Sequence, residues 1–243
     1  MDPVGSERLV EYADSYKTSS AGEEKANRTC HTQQSQKTGN CFGRKLERQS
    51  ALGRQKMRKL TELQLRERWQ TNAGKNVKRK VLKRLHARAD WSEPLSGFLG
   101  TDEIEHCTDL RGIDLSNTSL PGVDLSYCSL DFACFNYCQM NCSTLHGVSI
   151  HQTSFVGTNL ACSTLVGAAG KKANFSNADL YRVYGMGSAI TGSLFRNAHL
   201  RRSDFSGAKL TNCDFSEADL RDIDFESADL TGCDFSSALL EEQ

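Results

Sequence analysis

The sequence predicts an all-β fold for its second half: a four-sided β-solenoid over residues 107–241, preceded by a short basic α-helical and partly disordered N-terminal extension. Three observations predict it. An apolar residue stands at every fifth position from 110 to 240; of these 27 centres, 25 are Leu, Phe, Ile or Met, and Gly170 and Gly185 are the exceptions. The residue two places before each centre is always Ala, Ser, Thr, Cys, Val or Ile. Phenylalanine returns at a longer interval, at Phe135, Phe155, Phe175, Phe195, Phe215 and Phe235.

A five-residue period suits neither a helix, which repeats every ~3.6 residues, nor a strand, which repeats every ~2. Two inward positions spaced by two, recurring every five, describe a short extended side followed by a corner. Four sides close a coil of 20 residues, the interval at which Phe returns. Such coils stack by backbone hydrogen bonds at strand spacing. A Phe column of this kind has no local cause, whereas stacking of rings along one face explains it. The coils build a rod about 30 Å long, its narrow interior filled by side chains rather than open as a channel. Gly170 and Gly185 each remove a core side chain, which marks residues 167–191 as the stretch expected to exchange its amides fastest.

The units EADLR, SADLT, NADLY and GAKLT resemble the pentapeptide-repeat family, whose motif is A(D/N)LXX. The resemblance covers residues 107–241. It implies a right-handed quadrilateral β-helix with the small residue and the central Leu or Phe pointing inward. It implies less about activity, because one fold hosts several functions.

Outward Asp and Asn precede many centres, beginning at Asp109. Six acids near the end, Asp204, Asp214, Asp219, Asp224, Asp229 and Asp234, are the candidate acidic interaction face. Some members of the family imitate DNA phosphates with such a face and bind DNA gyrase. Between Asp204 and Glu242 the chain holds eleven acids against Lys209 and Arg221, but Arg196, Arg201 and Arg202 interrupt the acid just upstream. A solvated face is therefore the preferred reading, with the DNA-mimicking topoisomerase binder as an alternative.

Of the ten cysteines, Cys128, Cys138, Cys213 and Cys233 fall at the small inward position and read as small hydrophobes. Cys142 and Cys162 stand one coil apart, within disulfide reach, and are expected to remain thiols in a reducing cell. Cys134, Cys138 and Cys142 have a zinc-like spacing, but the coil sends Cys138 inward and Cys134 outward, so they do not converge. Cys30, His31 and Cys41 offer three of the four ligands a structural zinc needs and lie in a polar segment expected to be disordered. No metal or cofactor is implied.

The net charge of zero conceals two unlike halves. Residues 1–100 carry +10 and residues 101–243 carry −10. Residues 1–43 are polar without apolar periodicity and read as a disordered tail. Residues 44–88 carry +13. Met57, Leu60, Leu63 and Leu65 suggest one helix ending near Thr71–Gly74, and Val77, Val81 and Leu85 mark one face of a second. Its other face holds the candidate basic residues Lys78, Lys80, Lys83, Arg84 and Arg88. These fit a solvated hairpin, weak non-specific polyanion binding, or docking onto the acidic solenoid. Residues 89–106 form a linker and N-terminal cap, with Trp91, Leu95, Phe98 and Leu99 suited to plug the first coil. Leu239 replaces the usual outward Asp in the last coil, which leaves either self-association or a partner at this end.

No segment approaches the length and apolarity of a membrane span, and no basic-then-apolar leader opens the chain, so a cytoplasmic location is expected. No nucleophile–base pair, paired carboxylates, phosphate loop or dinucleotide fingerprint converges, and the six histidines share no site. The expected role is non-enzymatic macromolecular binding or scaffolding with a protein partner; a bacterial secreted effector is a further alternative.

Overall fold

The computed structural model describes residues 60–87, Leu95, Phe98 and 108–240. The readings for the polar tail, Met57, Cys30, His31, Cys41, Arg88, Trp91 and Leu99 lie outside the described residues.

The rod follows from the two periods. Parallel bridges join residues 20 apart, as in Asp114 to Cys134, Ser119 to Gln139 and Asp124 to Thr144, and they form four ladders along the chain. The fourth ladder contains the short strands β1 (Thr108–Asp109), β2 (Cys128–Ser129), β3 (Ala169–Lys171) and β4 (Ala189–Thr191). Inside the rod a centre donates its N–H to the next coil, and the residue before a centre donates back to the previous one. Leu115 bonds the Cys134 carbonyl at 2.8 Å, and Cys134 bonds the Ile113 carbonyl at 2.8 Å. Corners close by a bond from the residue three after a centre, such as Ile113 N–H to the Leu110 carbonyl at 3.1 Å. The second residue after each centre has positive φ, for example Asn117 at 58° and Gly112 at 69°. That is the pattern of a type II turn, which tolerates Asn and Gly most readily.

Inside, the rings of the Phe column lie nearly parallel. Phe155 to Phe175 and Phe175 to Phe195 are both 4.9 Å between centroids, and Phe195 to Phe215 is 4.8 Å. Stacked pairs contribute about 0.5–1.5 kcal/mol each beyond the area they bury. Leu, Ile and Met centres and the small residues complete a core that runs from Leu110 to Phe225 with little exposure, and the side chains from Ala228 to Leu240 are half-buried against it. Inward hydroxyls and thiols donate to backbone carbonyls, as Thr153 Oγ1 does to Leu130 at 2.7 Å and Cys213 Sγ to Ile190 at 3.0 Å; the buried Ser188 hydroxyl is an exception and has no partner among the described residues.

The two glycine centres do not slip the frame. At Gly185 a Cβ would lie 2.4 Å from the Phe205 ring, so Phe205, one coil on, occupies the room the missing side chain leaves. Phe205 thereby meets Phe195 edge-on at 6.4 Å. The expected vacancy at Gly185 is therefore filled. Gly185→Leu should cost about 1–3 kcal/mol by overpacking, read as a lowered denaturation midpoint; a stabilised variant would show that the room is empty.

Two helices precede the rod. α1 (Glu62–Glu67) is N-capped by Thr61, whose hydroxyl accepts the Gln64 N–H while Gln64 reaches back to the Thr61 N–H. α2 (Asn72–His86) is N-capped by Thr71, which accepts from Gly74 N–H at 2.9 Å. Thr71–Gly74 thus starts the second helix instead of ending the first. The reason is the Thr hydroxyl, a better partner for a helix N-terminus than for a C-terminus. Leu63 is also not on the buried face: it is 63% exposed, whereas Leu65 is buried.

Candidate functional site

The helices and the first coil meet in one buried polar cluster. Arg68 forms a two-pronged ion pair with Asp109, Nη1 to Oδ2 and Nη2 to Oδ1, both at 2.9 Å. Both side chains are 1% exposed. Asp109, counted with the outward acids, is instead roofed by the helical segment. Arg111 closes the other side, its Nε 3.0 Å from Asp109 Oδ1. Its carbonyl accepts from Arg68 Nη2 at 2.9 Å and from Trp69 Nε1 at 2.8 Å. The Arg68 guanidinium lies 5.2 Å from the centroids of both Trp69 and Phe98. Burial alone would push the Asp109 carboxyl up, but its bonds to Arg68 and Arg111 outweigh that and hold it below the ordinary carboxylate range.

Packing completes this end. Leu65, Trp69, Val81, Leu85 and Leu95 are buried, and Phe98 packs 4.8 Å from Trp69. The α1 backbone sits on Gly112, where a Cβ would come 2.6 Å from the Leu65 carbonyl. Leu95 and Phe98, with Trp69, Val81 and Leu85, join the apolar cluster that begins at Leu110 in the first coil. Sequence reasoning missed Arg68, Trp69, Arg111 and Gly112. The available signal was an Arg–Trp pair of core-forming size inside an otherwise solvated basic run.

The six candidate acids do not share a face, and the expectation of one acidic face is corrected accordingly. Asp204 and Asp224 lie on one ladder, Asp214 and Asp234 on a second, Asp219 on a third with Leu239, and Asp229 on a fourth with Lys209. Each carboxylate accepts the N–H two residues onward, from Asp204 with Ser206 at 2.9 Å to Asp234 with Ser236 at 2.9 Å. That N–H is left over at the corner, and a short acceptor side chain at this position satisfies it. Two of the six are also ion-paired, Asp214 with Arg196 and Asp219 with Arg221. Arg201 and Arg202 both pair with Asp222. His199 stands between Asp179 and Asp219, 3.3 and 3.5 Å away.

Of the basic candidates, Lys80 and Lys83 are exposed, while Lys78 and Arg84 are half-buried. The helical segment does dock on the solenoid, through its apolar side and the Arg68–Asp109 pair. Cys128, Cys138 and Cys213 are buried, Cys233 half-buried, and Cys142 and Cys162 are exposed thiols on one corner. A hydrogen bond with Cys233 and burial push the Cys213 thiol up, so it stays protonated. On the outside, Tyr184 and Met186 flank Gly185 and remain 46% and 39% exposed. Among the described residues no helix is long and apolar enough to cross a membrane.

A rod of stacked coils with a filled interior and its charged rod residues, Asp109 apart, turned outward is a β-solenoid of the repeat-protein class. The sequence model of pentapeptide repeats matches in eight copies over residues 108–147, 149–184, 187–216 and 209–242. The chain belongs to the pentapeptide-repeat family. Among solved structures it is similar to a trypsin-treated form of QnrB1, a plasmid-mediated fluoroquinolone resistance protein, with 21% identity over 54% of this chain and 77% of that one and a TM-score of 0.27. It is also similar to Rfr23 from the cyanobacterium Cyanothece 51142, with 17% identity over 60% and 99% of the two chains and a TM-score of 0.22. HetL, involved in heterocyst differentiation regulation in Nostoc sp. strain PCC 7120, has 21% identity over 54% and 86%, with a TM-score of 0.15. No curated protein matches the chain.

Proposed function

We propose that the protein is a non-enzymatic scaffold that binds another protein through the outer surface of its solenoid, taken as the right-handed four-sided coil the family implies. One observation carries this reading: the interior is filled by the Phe and Leu columns, so recognition falls to the outside, where Tyr184 and Met186 are displayed side by side. Exposed aromatic and Met side chains are what protein interfaces favour. They stand beside the corner of Gly167, Gly187 and Gly207, where no atom lies within 4 Å of the position a Cβ would take. A partner therefore meets open backbone beside two large side chains.

The test is affinity capture with the intact protein and with a Tyr184→Ser, Met186→Ser double variant. Loss of the captured partner, with unchanged melting, is the expected result. A partner retained at full yield would sink this assignment. The gyrase-binding reading is weaker, since its six acids are spread over four ladders and each serves a corner N–H. Inhibition of gyrase supercoiling by the purified protein would reverse that order.

A further inference from the structure

We propose that the outward face of α2 binds the sugar–phosphate backbone of nucleic acid. The helix holds Lys75, Lys78, Arg79, Lys80, Lys83 and Arg84 and no acid over its 15 residues. Lys75, Arg79 and Lys83 are exposed and follow one another at four-residue spacing. They form one stripe with neighbours about 6 Å apart along the axis. Lys80, also exposed, stands beside it. Among the described residues, Lys75, Lys78, Lys80 and Lys83 form no ion pair.

Helix stability does not call for all of this charge. Cations are favourable in the last turn, where Lys83, Arg84 and His86 stand, but Lys75 sits by the first turn, where the dipole opposes it, while Lys78, at mid-helix, has the Asp114 carboxylate of the rod for a neighbour. Like charges at four-residue spacing add further repulsion, which a bound anion relieves. The geometry also separates nucleic acid from a lipid surface. A helix that lies in a membrane needs its apolar side free, whereas Val81 and Leu85 of α2 are buried against the rod. What remains outside is a rigid row of cations with no apolar component, the chemistry that neutralises phosphates without reading bases.

The surface is separate from Tyr184 and Met186, so this proposal and the scaffold reading fail independently. The test uses full-length protein, fluorescein-labelled 20-nucleotide single- and double-stranded probes, and anisotropy at 50 and 200 mM salt. The expected result is binding that weakens roughly 40-fold on the duplex and roughly 20-fold on the single strand between the two salts, as release of counterions from about three phosphates requires. Lys75→Glu, Arg79→Glu, Lys83→Glu together should lower affinity at least tenfold at the lower salt, with unchanged melting. If that variant folds poorly, the same three positions changed to Gln should give a smaller loss in the same direction. Lys171→Glu with Lys172→Glu, on the rod, should leave binding intact. The proposal is overturned by equal affinity of the triple variant, by binding indifferent to salt, by no binding up to about 100 μM, or by selective binding to phosphatidylserine–phosphatidylcholine vesicles.

Discussion

Phe195→Asp should abolish cooperative folding of the rod. Phe195 is fully buried, with Phe175 and Phe215 stacked on its two faces and Phe205 against its edge. Removing the ring from such a site costs about 3–5 kcal/mol. The carboxylate adds the cost of an unpaired buried charge, several kcal/mol more. Together these reach the whole stability of a domain, ~5–15 kcal/mol. Circular dichroism and urea denaturation should show no native transition, while Ser227→Asp, on an exposed corner, should stay within about 0.5 kcal/mol of the parent. A soluble Phe195→Asp protein with unchanged melting would contradict the inward placement of this column.

The second large effect is at the helical cap. Arg68→Ala leaves the Asp109 carboxylate buried beneath α1 with Arg111 as its remaining cation. Breaking a buried pair from one side costs about 3–5 kcal/mol. Replacing both, as Arg68→Met with Asp109→Leu, should restore most of that, because the charge and its partner leave together. Acid acts as the single change does. The Asp109 carboxyl titrates below its ordinary value of 3.8, so the stability it contributes is complete above that value and is lost as pH falls through the lower, folded-state value. Trp69 fluorescence in a Trp91→Phe background should therefore report release of the cap below about pH 4. Insensitivity of that signal to both pH and Arg68→Ala would show that apolar packing alone holds the helices.

The rod was legible because its cause is local and repeated. The five-residue pattern places every centre, and the return of Phe after 20 residues places one coil on the next. The corner role of the acids was legible too, had their positions been compared at that longer interval. Asp204 and Asp214 differ by half a coil and so face apart, which their density along the chain conceals. The cap was not legible. Arg68 and Asp109 are separated by 41 residues, with no period to connect them. α1 is a six-residue helix held by tertiary contact, and it exposes Leu63 in spite of the apolar pattern. Gly185 shows the same limit inside the rod, since only the tilt of Phe205 from the following coil reveals how its space is filled.

The reach of the ladder bonds has a consequence for assembly during synthesis. A centre bonds a carbonyl 19 residues ahead, as Phe175 does with Leu194, and a residue before a centre bonds one 21 behind, as Asp214 does with Ser193. No bond of the ladder waits for distant chain. A ribosome delivers the α1 and α2 residues before the first coil, so Trp69 and Arg68 are free to order around Asp109 and Arg111 as these emerge. Each later coil then has a finished template on one side as soon as its own residues leave the tunnel. Loop closure over so short a span is inexpensive, and growth is vectorial from the cap outward.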